Sequence, residues 1–119
     1  MARLLYVLTH STDEPERSTA ALGAAAAAAK HGHEVALWLT DEGVRIGVKG
    51  VVETIASPDR RGALESLELL VEGGAILHCP RACFVLREFE EGALRKGARL
   101  ASQYELADLA ADGWIPVPT

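Results

Sequence analysis

Leu4-Leu5-Tyr6-Val7-Leu8, then the polar loop Thr9-His10-Ser11-Thr12-Asp13, then Pro15 among Asp13, Glu14 and Glu16: this opening decides the fold. Five apolar residues without a break are too few for a helix. They suit a strand buried on both faces, as the strands of parallel sheets are. Acidic residues around a proline in the first turn mark a helix start, where the missing N–H is no loss and negative charge meets the positive end of the dipole. The helix runs to about Lys30 and stops at Gly32. Strand, helix and a second apolar run, Glu34-Val35-Ala36-Leu37-Trp38-Leu39-Thr40, then make a β-α-β unit.

The same grammar repeats outward from this unit. The loop Asp41-Glu42-Gly43 leads into residues 44–55, which are punctuated by glycine and show no dominant period. Ser57 as cap and Pro58 at the first helical position start a helix with Leu64, Leu67, Leu70 and Val71 on its apolar side, ended by Gly73-Gly74. Ala75-Ile76-Leu77 reads as the third strand and residues 98–101 as the fourth. Ser102 with Glu105 three places on is a capping box, opening a helix to about Ala111 that ends at Gly113. Trp114-Ile115-Pro116-Val117 is the last strand, and Pro116, which cannot donate to a ladder, puts it at a sheet edge. One α/β domain over residues 1–119, its parallel sheet covered on both faces, accounts for the whole chain.

Composition narrows the function. The chain has 119 residues and a formal net charge of -5, with no run of Lys or Arg, which argues against gripping nucleic acid or an anionic membrane. The apolar opening is too short for a signal segment, and no stretch approaches the roughly 18 apolar residues of a membrane span. A cytoplasmic location follows most simply, and with it reduced thiols. From Ala20 to Ala29 the first helix carries no charge. A monomer's surface helix should have a charged face, so a homo-oligomer is expected, with this helix or residues 44–55 at the interface.

Both cysteines lie in His78-Cys79-Pro80-Arg81-Ala82-Cys83, directly after the third strand. With Pro80 at the first helical position, Cys79 becomes the cap, where free amides and the dipole stabilise a thiolate and Arg81 adds positive charge. Such sites lower a cysteine pKa from about 8.5 to roughly 3.5–7.5. The competing reading is a buried, inert thiol. In open α/β sheets ligands sit beyond the carboxyl ends of the strands, so the loops at residues 9–13, 41–43 and 78–83 would meet there, with Thr9, His10 and Ser11 sharing a pocket with His78, Cys79, Pro80, Arg81 and Cys83. His10 could shuttle a proton there; its alternative is a solvent-exposed loop residue, and that of His78 a side chain turned into the covering layer. The i,i+4 spacing of the cysteines (CxxxC) is poor for a redox pair, and zinc held by His10, His78, Cys79 and Cys83 matches no standard ligand spacing. No metal or cofactor is expected: there is no GxGxxG after a strand, no P-loop and no GxSxG elbow.

The order and spacing of these segments resemble the DsrE/TusD-like (DsrE/DsrF-like) sulfur-relay family. The residues that carry the resemblance are residues 7–17 with their polar loop and Pro15-Glu16-Arg17, the alanine-rich helix into Lys30-His31-Gly32-His33-Glu34-Val35, Trp38-Leu39-Thr40-Asp41-Glu42-Gly43-Val44, and Gly74-Ala75-Ile76-Leu77-His78-Cys79-Pro80. The resemblance implies a three-layer α/β/α domain with a five-stranded, mostly parallel sheet, often assembled as trimers or hexamers. It also implies a cysteine after the third strand, here Cys79, that accepts sulfur as a persulfide and passes it on, with sulfur donor and acceptor proteins as partners. Around Arg87-Glu88-Phe89 the chain departs from the pattern, since relatives often carry an Arg-Gly pair there. A sulfur carrier on Cys79 is thus the leading expectation. Beside it stand a non-catalytic oligomeric binding module and a thiol-redox sensor in which Cys83 resolves an oxidised Cys79.

Overall fold

The two longest apolar runs take the interior of the sheet. In the computed structural model, which describes residues 1–55 and 62–119, β1 (Arg3–Leu8) pairs in register with β2 (Glu34–Leu39), from Arg3↔Glu34 to Leu8↔Leu39. The five strands run in the order β4-β3-β2-β1-β5, and every pairing is parallel. β5 (Ile115–Pro118) lies at the edge against β1, where a proline-containing strand belongs. The helix start at Ser57 and Pro58 lies outside the described residues.

The two faces of the sheet are covered unequally. Strand alternation sends Tyr6, Leu8, Val35, Leu37, Leu39, Leu77 and Cys79 to one side. There they meet α1 (Pro15–Lys30) and α2 (Gly62–Glu72). The other side presents Leu5, Ala36, Trp38 and Ala101. It is covered by α4 (Gln103–Ala111), whose Leu109, with Trp114 beyond it, packs there without any residue of the helix being fully buried. α1 shows why an alanine run still makes an amphipathic helix: Ala21, Leu22, Ala25 and Ala26 are buried, while Ala20, Ala24 and Ala27 face out. Gly32 then takes φ 98°, a left-handed turn that ends the helix.

Residues 44–55 show no period because they form two 3-10 turns, Asp41–Gly47 and Val52–Thr54, rather than a helix or strand. Of their apolar side chains, Val44, Ile46, Val48, Val52 and Ile55 are buried in the chain's own core and Val51 is half-buried.

The third strand also differs from expectation. It spans Leu77–Pro80 and not residues 75–77. Gly74 takes φ 95° and the Ala75 N–H closes back on the Leu70 carbonyl, so these residues are still leaving α2. The ladder then carries Cys79 and Pro80 to meet Leu100 and Ala101 of β4 (Ala98–Ala101). Only α3 (Arg81–Leu86), a six-residue helix, follows.

Candidate functional site

The carboxyl edge of the sheet brings together the ends of β1, β2 and β3, and the 3-10 turn Asp41–Gly47 crosses over it. The Thr40 N–H donates to the Leu8 carbonyl and the Gly43 N–H to the Thr40 carbonyl. Gly43 lies so close to the Leu8 carbonyl that a Cβ would collide with backbone. Further along, Gly47 sits directly on the Cys79 sulfur, where a methyl group would likewise collide. The turn thus forms a lid seated on Cys79.

Burial decides what Cys79 can do. It is 0% exposed. It belongs to β3, and Pro80 rather than Cys79 is the cap of the following helix. The free amides expected to stabilise a thiolate are therefore not presented to it. Burial instead penalises the charged form and pushes the Cys79 thiol up to about 12. Its sulfur approaches one polar group, the Leu77 carbonyl at 3.8 Å, which accepts from the thiol and so favours the protonated state. The expectation of an ionised, helix-capping Cys79 is corrected: the chain ends its strand three residues later than the apolar run suggests, and that register turns the side chain inward.

Cys83 is placed differently. It lies in the first turn of α3, half-buried. Its sulfur is 3.5 Å from the Thr40 hydroxyl. Arg87, one turn on, donates to the Cys83 carbonyl at 3.1 Å and to Glu42 at 2.7 Å, and Glu42 also accepts from Arg45 at 2.8 Å. The two guanidiniums, Arg87 first, hold the Glu42 carboxyl below the usual carboxylate range. This lattice ties α3 to the lid. Beside Cys83, Val85 and Leu86 are 59% and 79% exposed, an apolar step next to the thiol.

The remaining expected residues scatter. The ring of His10 bonds the Asp13 carboxylate at 2.8 Å through Nδ1 and meets Arg17 at 3.2 Å through Nε2. Asp13 also accepts the Ser11 N–H at 2.8 Å, and that bond, ahead of His10, lowers its pKa. β1 lies two strands from β3, about 10 Å across the sheet, and His10 hydrogen-bonds neither cysteine. Thr9 is half-buried. Ser11 is fully buried, its hydroxyl without a partner while its carbonyl accepts from Ser18 at 2.9 Å. Pro80 caps α3, and Arg81 is exposed, paired with Glu91 at 3.4 Å. His78 points to the opposite face from Cys79 and stacks on Trp38 with centroids 5.9 Å apart. The shared pocket therefore loses His78 and His10. Because His78 and Cys79 alternate along one strand, the four residues weighed for zinc do not converge.

Thr40 and Arg87 are the site residues that sequence reasoning passed over, whereas Glu42 belongs to the Asp41-Glu42-Gly43 loop expected at this edge. Thr40 ends the second apolar run, where the carboxyl-edge rule already points. Arg87 stands four residues after Cys83, the spacing that makes helical neighbours.

A parallel five-stranded sheet with helices on both faces and a thiol at its carboxyl edge defines a three-layer α/β/α domain of the thiol-bearing kind. The DsrE/DsrF-like family model matches residues 2–115, and the chain belongs to that family. Among solved structures it is similar to the ychN protein from E. coli, with 17% identity, full coverage of both chains and a TM-score of 0.82, a likeness of fold. No curated protein matches it in sequence.

Proposed function

We propose that this chain is a persulfide carrier in intracellular sulfur relay, and that Cys83 is the thiol that takes the sulfur. Membership of the DsrE/DsrF-like family supports the relay. The observation that carries the choice of thiol is the contrast in access: Cys83 is half-buried and open to a partner, whereas Cys79 lies sealed under Gly47. Exchange at sulfur requires both a thiolate and an approach path.

The step is a thiol exchange. The Cys83 thiolate attacks the terminal sulfur of a donor persulfide, forming a new S–S bond at Cys83 while the donor's S–S bond breaks. The donor leaves as a thiolate and takes a proton, and the sulfane sulfur keeps its oxidation state throughout. The Thr40 hydroxyl, 3.5 Å from the sulfur, is placed to donate to the anion, and Arg87 and Glu42 fix the helix that presents it. Val85 and Leu86 give donor and acceptor proteins an apolar landing beside the thiol. The exposed alanines of α1 suit a homo-oligomer, the trimer or hexamer that the family resemblance implies. The redox-sensor reading, in which Cys83 resolves an oxidised Cys79, fits less well, because a buried, protonated Cys79 thiol is a poor nucleophile toward an oxidant.

Intact-mass measurement after exposure to inorganic polysulfide tests the proposal. Wild type and Cys79→Ser should gain the mass of one sulfur atom, and Cys83→Ser should not. Loading that survives Cys83→Ser but vanishes in Cys79→Ser would return the role to Cys79. No loading in any variant would favour the non-catalytic module.

A further inference from the structure

At the amino end of the sheet, opposite the thiols, lies a cavity of about 770 Å³, within the roughly 300–1,000 Å³ of small-molecule sites. It opens because β2 and β3 part company. Their ladder holds only Leu37↔Leu77 and Trp38↔His78, with one further bond from the Leu37 N–H to the Ile76 carbonyl. The N–H of Val35, two residues back along the same edge, points toward β3 but has no backbone partner among the described residues. Ala29 and Leu69 line the cavity from the α1 and α2 side, Leu109 and Trp114 from the α4 side.

The polar groups in this wall share one character. His78 borders the cavity, is 4% exposed, and its Nδ1 has no hydrogen-bond partner, a state that buried polar groups rarely tolerate. Arg99, directly across the ladder from His78, borders the cavity too. Its guanidinium bonds Glu105 at 2.7 Å and leaves further N–H groups over. Lys30 lies at the rim with no ion pair among the described residues. The two carboxylates of the lining, Glu34 and Asp112, are already held by Arg3 at 3.1 and 3.2 Å, and that guanidinium lies 4.7 Å over the Trp114 ring. Arg99 and Lys30 offer cations, the neutral imidazole of His78 offers a donor to the cavity in its Nδ1–H tautomer, and the greater part of the remaining surface is apolar.

We infer that this cavity binds a small organic anion with an apolar body, an aliphatic or aromatic carboxylate, whose charged end sits between His78 and Arg99 while its hydrocarbon lies along Leu69, Leu109 and Trp114. The site is independent of the thiol chemistry and stands whether or not Cys83 carries sulfur.

The two tryptophans make the test direct, since Trp114 lines the cavity and Trp38 stacks on His78. Octanoate, titrated against their fluorescence, should give a saturable change at least about tenfold tighter than octanol, the preference expected of one charge-assisted hydrogen bond. Arg99→Gln, a half-exposed position whose replacement spares the core, should abolish that preference, and so should His78→Phe, which keeps the stacking ring. Failure to saturate, equal binding of acid and alcohol, or an unchanged preference in Arg99→Gln would each overturn the assignment. So would an octanoate curve that weakens with protein concentration in step with dimer formed by light scattering, because a second chain would then be the occupant.

Discussion

The two faces of this sheet are built to different standards. On the α1 and α2 side, a continuous core runs from Leu22 through Leu37 to Phe84, and it encloses even a cysteine. On the α4 side a small cluster of Leu5, Ala36, Trp38 and Ala101 is capped by a helix with no fully buried residue. The thick face protonates the thiol it buries. The thin face leaves an imidazole unsatisfied, and at the amino end, where β2 and β3 part, a cavity opens between the helices of the two faces. β3 carries a residue of each face in sequence, His78 then Cys79.

Truncation should show the largest difference. Leu22→Ala, at 0% exposure in the thick core, is expected to lose about 3–5 kcal/mol in urea unfolding, whereas Leu109→Ala on α4 should lose about 1 kcal/mol. Equal losses would abolish the contrast.

A pH series sharpens it next. The Cys79 pKa is raised from 9.0 to about 12 in the folded chain, so its contribution is intact below 9.0 and is lost as pH rises toward 12, the unfolded chain releasing its proton first. At pH 10 wild type should have lost about 1.4 kcal/mol more than Cys79→Ala has, relative to each protein at pH 8. Parallel curves would mean that Cys79 is not sealed. His78 runs the other way: burial, chiefly, lowers its pKa from 6.5, so stability should fall below that pH, and His78→Phe should flatten the acid limb.

The smallest effect concerns the rim of the thiol site. Glu88 takes φ 63°, a left-handed conformation that disfavours side chains. Glu88→Gly should therefore stabilise the chain by about 1 kcal/mol, less the entropy that glycine adds to the unfolded state, while sulfur loading at Cys83 is unchanged. A loss of stability would show that Glu88 contributes contacts that outweigh its strain.

The pattern of what the sequence disclosed follows the same division. The buried runs 4–8 and 34–39, the glycine stop at Gly32, the Ser102–Glu105 box and the edge position forced by Pro116 each rest on a local rule, and each is found. The site was legible only as a place. Whether Cys79 ends a strand or starts a helix turns on a ladder to Leu100, some twenty residues away, and on Gly47 packing over its sulfur. Neither leaves a mark near the cysteine. The 3-10 turns escape periodicity altogether, and the cavity exists because two strands separate, which no run of residues encodes.

The edge formed by β5 has a consequence for how these molecules can join. In a parallel ladder alternate N–H groups point to the neighbour, so if Ile115 and Val117 face β1, residues 116 and 118 face outward, and both are proline. That border offers acceptors and not one donor over the length of the strand, so an incoming strand finds nothing to zip onto. The sheet is in this sense a polymer with one terminated end: edge-to-edge fibril growth is blocked on the β5 side, and any strand-wise accretion is left to the four residues of β4.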